Sequence, residues 1–134
     1  MTDFWPAVIK ETPGLVPPIT LLKEAGTDLG DKTNHMLRGQ VETNASGGDY
    51  DFEHIFYIVA PALDNYRYEI LRVLHGITLY PARVIRRPAP NVFAPAVIED
   101  APDAAQLRKL LQAAFNDPTV QKAVGALLAQ SKAA

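Results

Sequence analysis

Arginine is concentrated in one segment of this chain. Five of its seven arginines lie within twenty-one residues, and Glu69 is the only acidic residue in that stretch. The five are Arg67, Arg72, Arg83, Arg86 and Arg87. A guanidinium group binds a carboxylate or a phosphate through paired hydrogen bonds, and it also stacks on aromatic rings. Since the whole chain has a net charge of −2, this cationic segment is a candidate contact surface.

Tyrosines and a histidine lie among these arginines and extend the candidate surface. Its predicted members are Tyr66, Arg67, Tyr68, Arg72, His75, Tyr80, Arg83, Arg86 and Arg87. The favoured interpretation is a surface that binds another macromolecule. An alternative is a pocket for a small anionic ligand, lined by Arg67, Arg72, His75 and Tyr80. The simplest structural explanation involves no ligand: the end of a solvated sheet, in which Glu69 bridges neighbouring arginines.

Aromatic residues beside basic ones also raise the question of nucleic acid. RNA-binding sheets stack bases on exposed aromatic rings next to basic side chains. The glycine-flanked aromatic and basic motif of such sheets is missing here, and the sequence pI of about 5.9 provides no long-range attraction to a polyanion. We therefore do not expect nucleic acid as a partner.

Residues that could support catalysis or bind a metal show no recognisable spacing. The histidines His35, His54 and His75 are 19 and 21 residues apart, so none forms a local ligand pair, although His54 and His75 could converge across neighbouring strands. Ser46 precedes two glycines but lacks the continuation of a phosphate-binding loop. The chain contains no cysteine, which excludes disulfides and thiolate chemistry. We expect no cofactor and no metal, and a binding protein is favoured over an enzyme.

Hydrophobic periodicity predicts the elements that position the arginine segment. Apolar residues recur at helical spacing over 18–30, alternate as in strands over 36–44, and resume after a glycine-rich loop. The predicted elements are a helix at 18–30, strands at 36–44, 50–60, 66–75 and 78–86, a proline-rich connector at 88–98, and a helical hairpin at 101–131 with Asp100 and Asp117 as N-caps. Because the strands are grouped between helices, the prediction is an α+β fold: a four-stranded antiparallel meander sheet preceded by an N-terminal helix and followed by two C-terminal helices, in a single domain 1–134.

Two details of the predicted sheet bear on function. The apolar run Ile55–Ala60 is typical of a central strand that is covered on both faces, yet few helices are available to cover the second face. A two-residue turn at Gly76–Ile77 would place Arg67 opposite Arg86, with Tyr66 opposite Arg87. The uncovered face predicts docking of a protein partner or formation of a homodimer.

The remaining expectations concern compartment and function. The first residues lack the basic and apolar regions of a signal peptide, and no apolar stretch reaches the roughly eighteen residues that a membrane span needs. We therefore expect a soluble, cytoplasmic protein that contacts no membrane. The predicted function is that of a non-enzymatic macromolecule-binding module, such as an adaptor, an immunity-type inhibitor or an accessory subunit, which contacts its partner through residues 66–87.

Overall fold

The computed structural model describes residues 4–10, 14–87 and 95–134. Within these ranges the elements follow in the order α1 Pro18–Lys32, β1 Arg38–Ala45, β2 Phe52–Ala60, β3 Tyr66–His75, β4 Ala82–Arg86, β5 Val97–Ala101, α2 Ala104–Phe115 and α3 Pro118–Ala133. Two short 3-10 segments, Ala7–Lys10 and Pro61–Leu63, accompany them. The predicted α+β fold, with one helix before an antiparallel sheet and two helices after it, is confirmed.

The sheet is an antiparallel meander in the order β1-β2-β3-β4-β5, so β3 is its middle strand and β2 lies between β1 and β3. It has five strands instead of the predicted four. The additional strand β5 runs along β4 from Ala82↔Ala101 to Arg86↔Val97. Residues 97–98 of the predicted connector are therefore strand, and its residues 88–94 lie outside the described residues.

The strand β5 was missed because its stability comes from its neighbour more than from its own pattern. Its sequence carries two acidic residues in succession, and both are bound by arginines of β4. Arg83 binds Asp100 at 2.8 Å, and Arg86 lies 3.7 Å from Glu99. Asp100, which was predicted to cap a helix, is thus a strand residue, and Asp103 takes the capping role by accepting a hydrogen bond from the backbone N–H of Gln106.

Helices α1 and α3 begin where the sequence predicts. Each has a proline at its first helical position, Pro18 and Pro118, where the missing N–H has no helical acceptor to lose. The side chain of Asp117 caps α3 by accepting from the backbone N–H of Thr119 at 2.8 Å. Helix α1 continues two residues beyond the predicted Gly30 and ends at Lys32.

All three helices pack on one face of the sheet, and the core lies between them. Its largest fully buried side chains include Leu22 of α1, Leu71 of β3 and Leu107 of α2. Helix α1 approaches β1 closely at a pair of glycines: a Cβ on Gly26 would lie 3.0 Å from the carbonyl oxygen of Gly39.

No helix in the described ranges is long and apolar enough to cross a membrane.

The register of β3 and β4 differs from the prediction, for two reasons. The connection is a six-residue loop at 76–81, so His75 pairs with Ala82 where a two-residue turn would pair it with Thr78. A β-bulge also places Ile70 as an extra residue in β3, since Phe56 pairs with Leu71 while Tyr57 pairs with Glu69.

The predicted pairing of Arg67 with Arg86 is therefore wrong. Arg67 lies opposite Val59 of β2, and Arg86 lies opposite Leu71. Because the bulge shifts the alternation of β3 by one residue, the two arginines occupy opposite faces of the sheet. The predicted pairing of Tyr66 with Arg87 is also wrong, because the pairing of β3 with β4 runs from Leu71↔Arg86 to His75↔Ala82 and includes neither residue.

Candidate functional site

One broad face of the sheet has no helix packed against it within the described residues, and we call it the open face. The core cluster draws on Phe56, Ile58, Leu71, Val73 and Val84, which alternate with the open-face residues along the same strands. By register, the open face consists of Arg38, Gln40, Glu42 and Asn44 of β1, Glu53, Ile55, Tyr57 and Val59 of β2, Arg67, Glu69, Arg72 and Leu74 of β3, Arg83 and Ile85 of β4, and Ile98 and Asp100 of β5.

Arg72 is the most extensively paired side chain of the open face. Its guanidinium binds both carboxylate oxygens of Glu69, at 2.9 and 3.2 Å, and it also reaches Glu53 at 3.3 Å. The hydrogen bonds to Glu69 are the largest cause of a raised pKa of Arg72. Glu69, predicted to bridge neighbouring arginines, binds Arg72, and it is Arg72 that bridges two carboxylates.

Arg67 and Arg83 are paired in a similar way. Arg67 lies 3.5 Å from Glu42 and places its guanidinium carbon 4.3 Å from the centre of the Tyr57 ring. Arg83 forms a forked contact with Asp100, with hydrogen bonds of 2.8 and 3.1 Å. That contact raises the pKa of Arg83 and lowers the pKa of Asp100.

These pairs leave the open face electrically balanced. Its strand residues include four arginines, at 38, 67, 72 and 83, and four carboxylates, at 42, 53, 69 and 100, which gives a net charge of zero. Each of the three arginines described above already has an acidic partner. The cationic segment seen in the sequence is therefore a charge-paired surface in the folded protein.

The apolar residues of β2 on this face are covered by their neighbours. Ile55 and Val59 are only 5% and 1% exposed although no helix lies over them. Val59 is flanked by Arg38 and Arg67 of the adjacent strands, whose aliphatic stems can shield it while the guanidinium groups stay in water. The run Ile55–Ala60, predicted to be covered on both faces, is buried at Ile55 and Val59 on the open face as well as at Phe56 and Ile58 on the helix side.

A more exposed apolar strip lies toward the β5 edge of the open face. Ile98 of β5 is 55% exposed and pairs with the half-buried Ile85 of β4. Leu74 of β3 is also half-buried on this face. The open face thus combines a central field of paired charges and tyrosine with an apolar margin.

The other predicted site residues lie away from the open face. Arg86 is on the helix side, where it binds Asp117 of α3 at 3.3 Å. Tyr68 and His75 share that side, and the hydroxyl of Tyr80 donates to the carbonyl oxygen of Val16 at 2.7 Å. Tyr66 and Arg87 are exposed, at the start of β3 and just after β4 respectively.

The alternative anionic pocket is not assembled in this arrangement. Arg67 and Arg72 are on the open face, whereas His75 is 4% exposed on the helix side. Tyr80 lies in the loop at 76–81, with its hydroxyl committed to the backbone. The structure therefore does not bring these four side chains together.

His54 and His75 do converge across neighbouring strands, as one sequence hypothesis allowed. Their Nε2 atoms are 2.8 Å apart and both rings are buried. Because the carbonyl oxygen of Gly76 can only accept, Nδ1 of His75 must donate to it, at 2.7 Å. Nε2 of His75 then accepts from Nε2 of His54, whose Nδ1 accepts from the hydroxyl of Thr43 at 2.9 Å. Each ring nitrogen of the pair therefore has a hydrogen-bond partner.

Burial and the neighbouring ring keep His54 neutral. Desolvation, followed by the interaction with His75, lowers the pKa of His54 to about 4. Among the residues that the structure describes, no group of three or more histidine and acidic side chains could hold a metal ion. All buried side-chain nitrogen and oxygen atoms in the same ranges have hydrogen-bond partners.

A cleft that the sequence analysis did not foresee opens on the helix side, between α1 and α3, and we call it the helix cleft. It has a volume of about 660 Å³ and a floor formed by Phe56 and Ile58 of β2. Its walls are lined by Ala25, Asp28, Leu29, Lys32 and Thr33 of α1 and the turn after it, and by Gln112, Phe115, Asn116, Val120, Gln121, Val124 and Leu128 of the C-terminal helices. Such a volume is within the range of about 300–1,000 Å³ typical of ligand pockets.

The helix cleft was not visible in the sequence because it depends on how far apart the helices lie. Val120, Val124 and Leu128 of α3 adjoin the core but remain partly exposed. The periodicity of α3 shows an apolar face without showing what that face meets.

Comparisons of the chain with protein-family models, with curated proteins and with solved structures find no match in any of the three. The fold and the candidate site therefore define a class by architecture alone. It is an α+β protein whose antiparallel meander is covered by helices on one face and presents paired charges on the other.

Proposed function

We propose that this protein is a non-enzymatic module that binds another protein on the open face of its sheet, in the manner of an adaptor, an inhibitor or an accessory subunit. The observation that carries the proposal is the preorganisation of that face. Arg67 is held between Glu42 and the ring of Tyr57, and Arg72 is held by Glu69 and Glu53. Side chains fixed in this way lose little conformational entropy when a partner binds.

The chemistry of the face favours a protein over a polyanion. Arginine and tyrosine are enriched at the energetically dominant positions of protein interfaces, and here they lie beside an apolar margin that includes Ile98. A nucleic acid or a membrane surface would need an excess of positive charge, whereas the strand residues of this face have a net charge of zero. A protein with its own mixed charges can complement such a pattern.

An exchange of charges tests the proposal with little disturbance of the fold. The double variant Arg67→Glu with Glu42→Arg keeps an ion pair between β3 and β1, on either side of β2. It exchanges the positions of the two charges, so a partner would meet the opposite charge at each position. The matched control is Arg108→Glu with Glu24→Arg, which exchanges an exposed ion pair of 3.1 Å between α2 and α1 on the helix side. Both pairs are about equally solvent-accessible.

The three proteins would be immobilised and exposed to lysate, and the retained proteins would be measured by quantitative mass spectrometry. We expect a discrete partner whose retention falls at least about tenfold with the open-face exchange and is unchanged by the helix-side exchange. Equal retention by all three proteins, or the absence of any partner from all three, would refute binding through the open face.

A further inference from the structure

A short apolar segment near the start of the chain is highly exposed in the described part of the structure. Within Phe4–Lys10 the side chains of Phe4, Trp5 and Ile9 are 86%, 74% and 58% exposed. Large side chains of this kind rarely lie together in water unless they contribute to an interaction. We call this segment the aromatic arm.

The helix cleft offers an apolar surface of matching character. Its floor is aromatic and aliphatic, and its walls include Leu29 of α1 and Val124 and Leu128 of α3. The two charged side chains that line it, Asp28 and Lys32, bind each other at 3.0 Å. The lining therefore has no net charge that would select an ionic ligand. The cleft therefore suits an uncharged apolar occupant.

We propose that the occupant is the aromatic arm of a second copy of this chain, so that two copies exchange arms and form a symmetric homodimer. Phe4 and Trp5 of each copy enter the helix cleft of the other, between α1 and α3. This interaction uses the helix side of the sheet, and it is therefore independent of the proposed function of the open face. It also assigns a use to the two apolar surfaces that the isolated chain leaves in water.

The expected buried area is sufficient for a stable dimer. An aromatic side chain buries about 150–250 Å², and a reciprocal exchange places four of them in clefts. Together with the cleft surface that they cover, the two arms would remove about 1,000–1,400 Å² from water, at the lower end of specific protein interfaces. A reciprocal exchange of this kind fills both clefts and buries both arms, so no arm or cleft is left to bind a third copy.

The protein contains its own probe for the test, because Trp5 is its only tryptophan. Trp5 fluorescence and sedimentation velocity would be recorded over a dilution series of the full chain. We expect the Trp5 emission to move to shorter wavelength as the dimer forms with increasing concentration. An emission that stays typical of water at all concentrations would overturn the proposal, and so would a blue shift that is independent of concentration, since that result would place the arm in its own cleft.

Two variants and a control identify the surfaces. Val124→Glu introduces a carboxylate into the wall of the cleft and should weaken dimerisation by at least about tenfold. Ala126→Glu introduces the same group on the exposed part of α3, outside the cleft, and should leave the dimer intact. Trp5→Ala changes a position too exposed to affect folding and should abolish the dimer. Because this variant lacks the fluorescent residue, sedimentation velocity alone measures the effect. A dimer that persists in both Val124→Glu and Trp5→Ala would refute arm exchange.

Discussion

Arginines of one sequence cluster have different roles in this protein, and their surroundings decide which. The Arg86 side chain is 17% exposed and binds Asp117, the residue that caps α3. The Arg67 side chain is 45% exposed on the open face. We expect Arg86→Ala to lower the free energy of unfolding by about 1–2 kcal/mol, because it removes a partly buried charged hydrogen bond, whereas Arg67→Ala should change it by less than about 0.5 kcal/mol. Urea unfolding of both variants measures this difference, and equal effects would contradict it.

The His54–His75 pair makes stability depend on pH. The pKa of His54 falls from 6.5 to about 4 in the folded protein, so between these values the unfolded chain takes up a proton that the native state does not. The stabilisation is complete above pH 6.5 and is lost progressively as the pH falls toward 4, by up to about 3 kcal/mol. Denaturant unfolding between pH 7 and 4.5 should show this decline.

His54→Gln provides the control for this pH dependence. Its amide can donate to His75 and accept from Thr43, as the imidazole does, but it does not titrate. The decline between pH 7 and 4.5 should become shallower in this variant. An unchanged slope would show that other groups cause it.

At the scale of elements, local sequence patterns predicted most of the fold. They failed where pairing with a neighbouring strand determines whether a segment is a strand and in which register it lies. Strand β3 was predicted with its observed bounds, 66–75, because its flanking turn signals are local. The fifth strand depends on its pairing along β4, which a linear pattern does not show. The bulge at Ile70 and the six-residue loop after His75 are likewise tertiary features: the loop shifted the register of β4, and the bulge placed Arg67 and Arg86 on opposite faces.

Contact between α1 and β1 depends on two glycines that leave no room for a side chain. A Cβ on Gly39 would lie 2.8 Å from Cζ of Phe56 and would also meet the backbone of Gly26. We expect Gly39→Ala to destabilise the protein by about 1–3 kcal/mol, because α1 must move away from the sheet. Thermal and urea unfolding would measure the loss.

Gly125 provides the matched control for this substitution. A Cβ there meets nothing within 4 Å, and the residue lies inside α3. Gly125→Ala should therefore stabilise the protein by about 0.5–1 kcal/mol through helix propensity. If both alanine substitutions were neutral, the close approach of α1 to β1 would not be a constraint on the fold.

On the scale of the whole molecule, the sheet separates two surfaces of different chemistry. Strand β2 contributes to both, because Phe56 and Ile58 form the floor of the helix cleft while Tyr57 belongs to the open face. Alternation along a single strand therefore gives the protein an apolar site on one side and a charge-paired site on the other. A partner on the open face and a second copy in the helix cleft could be bound at the same time.

This separation predicts that the two interactions are energetically independent. The exchange Arg67→Glu with Glu42→Arg should leave the dimer dissociation constant within about twofold of the parent value, since distant sites without shared partners add to within about 0.3–0.5 kcal/mol. Conversely, Val124→Glu should not alter retention of a partner on the open face. Sedimentation velocity and the immobilised-protein assay measure the two effects separately. A dimer that is weakened tenfold by the open-face exchange would show that the sheet couples its two sides, or that the second copy docks on the open face instead of in the helix cleft.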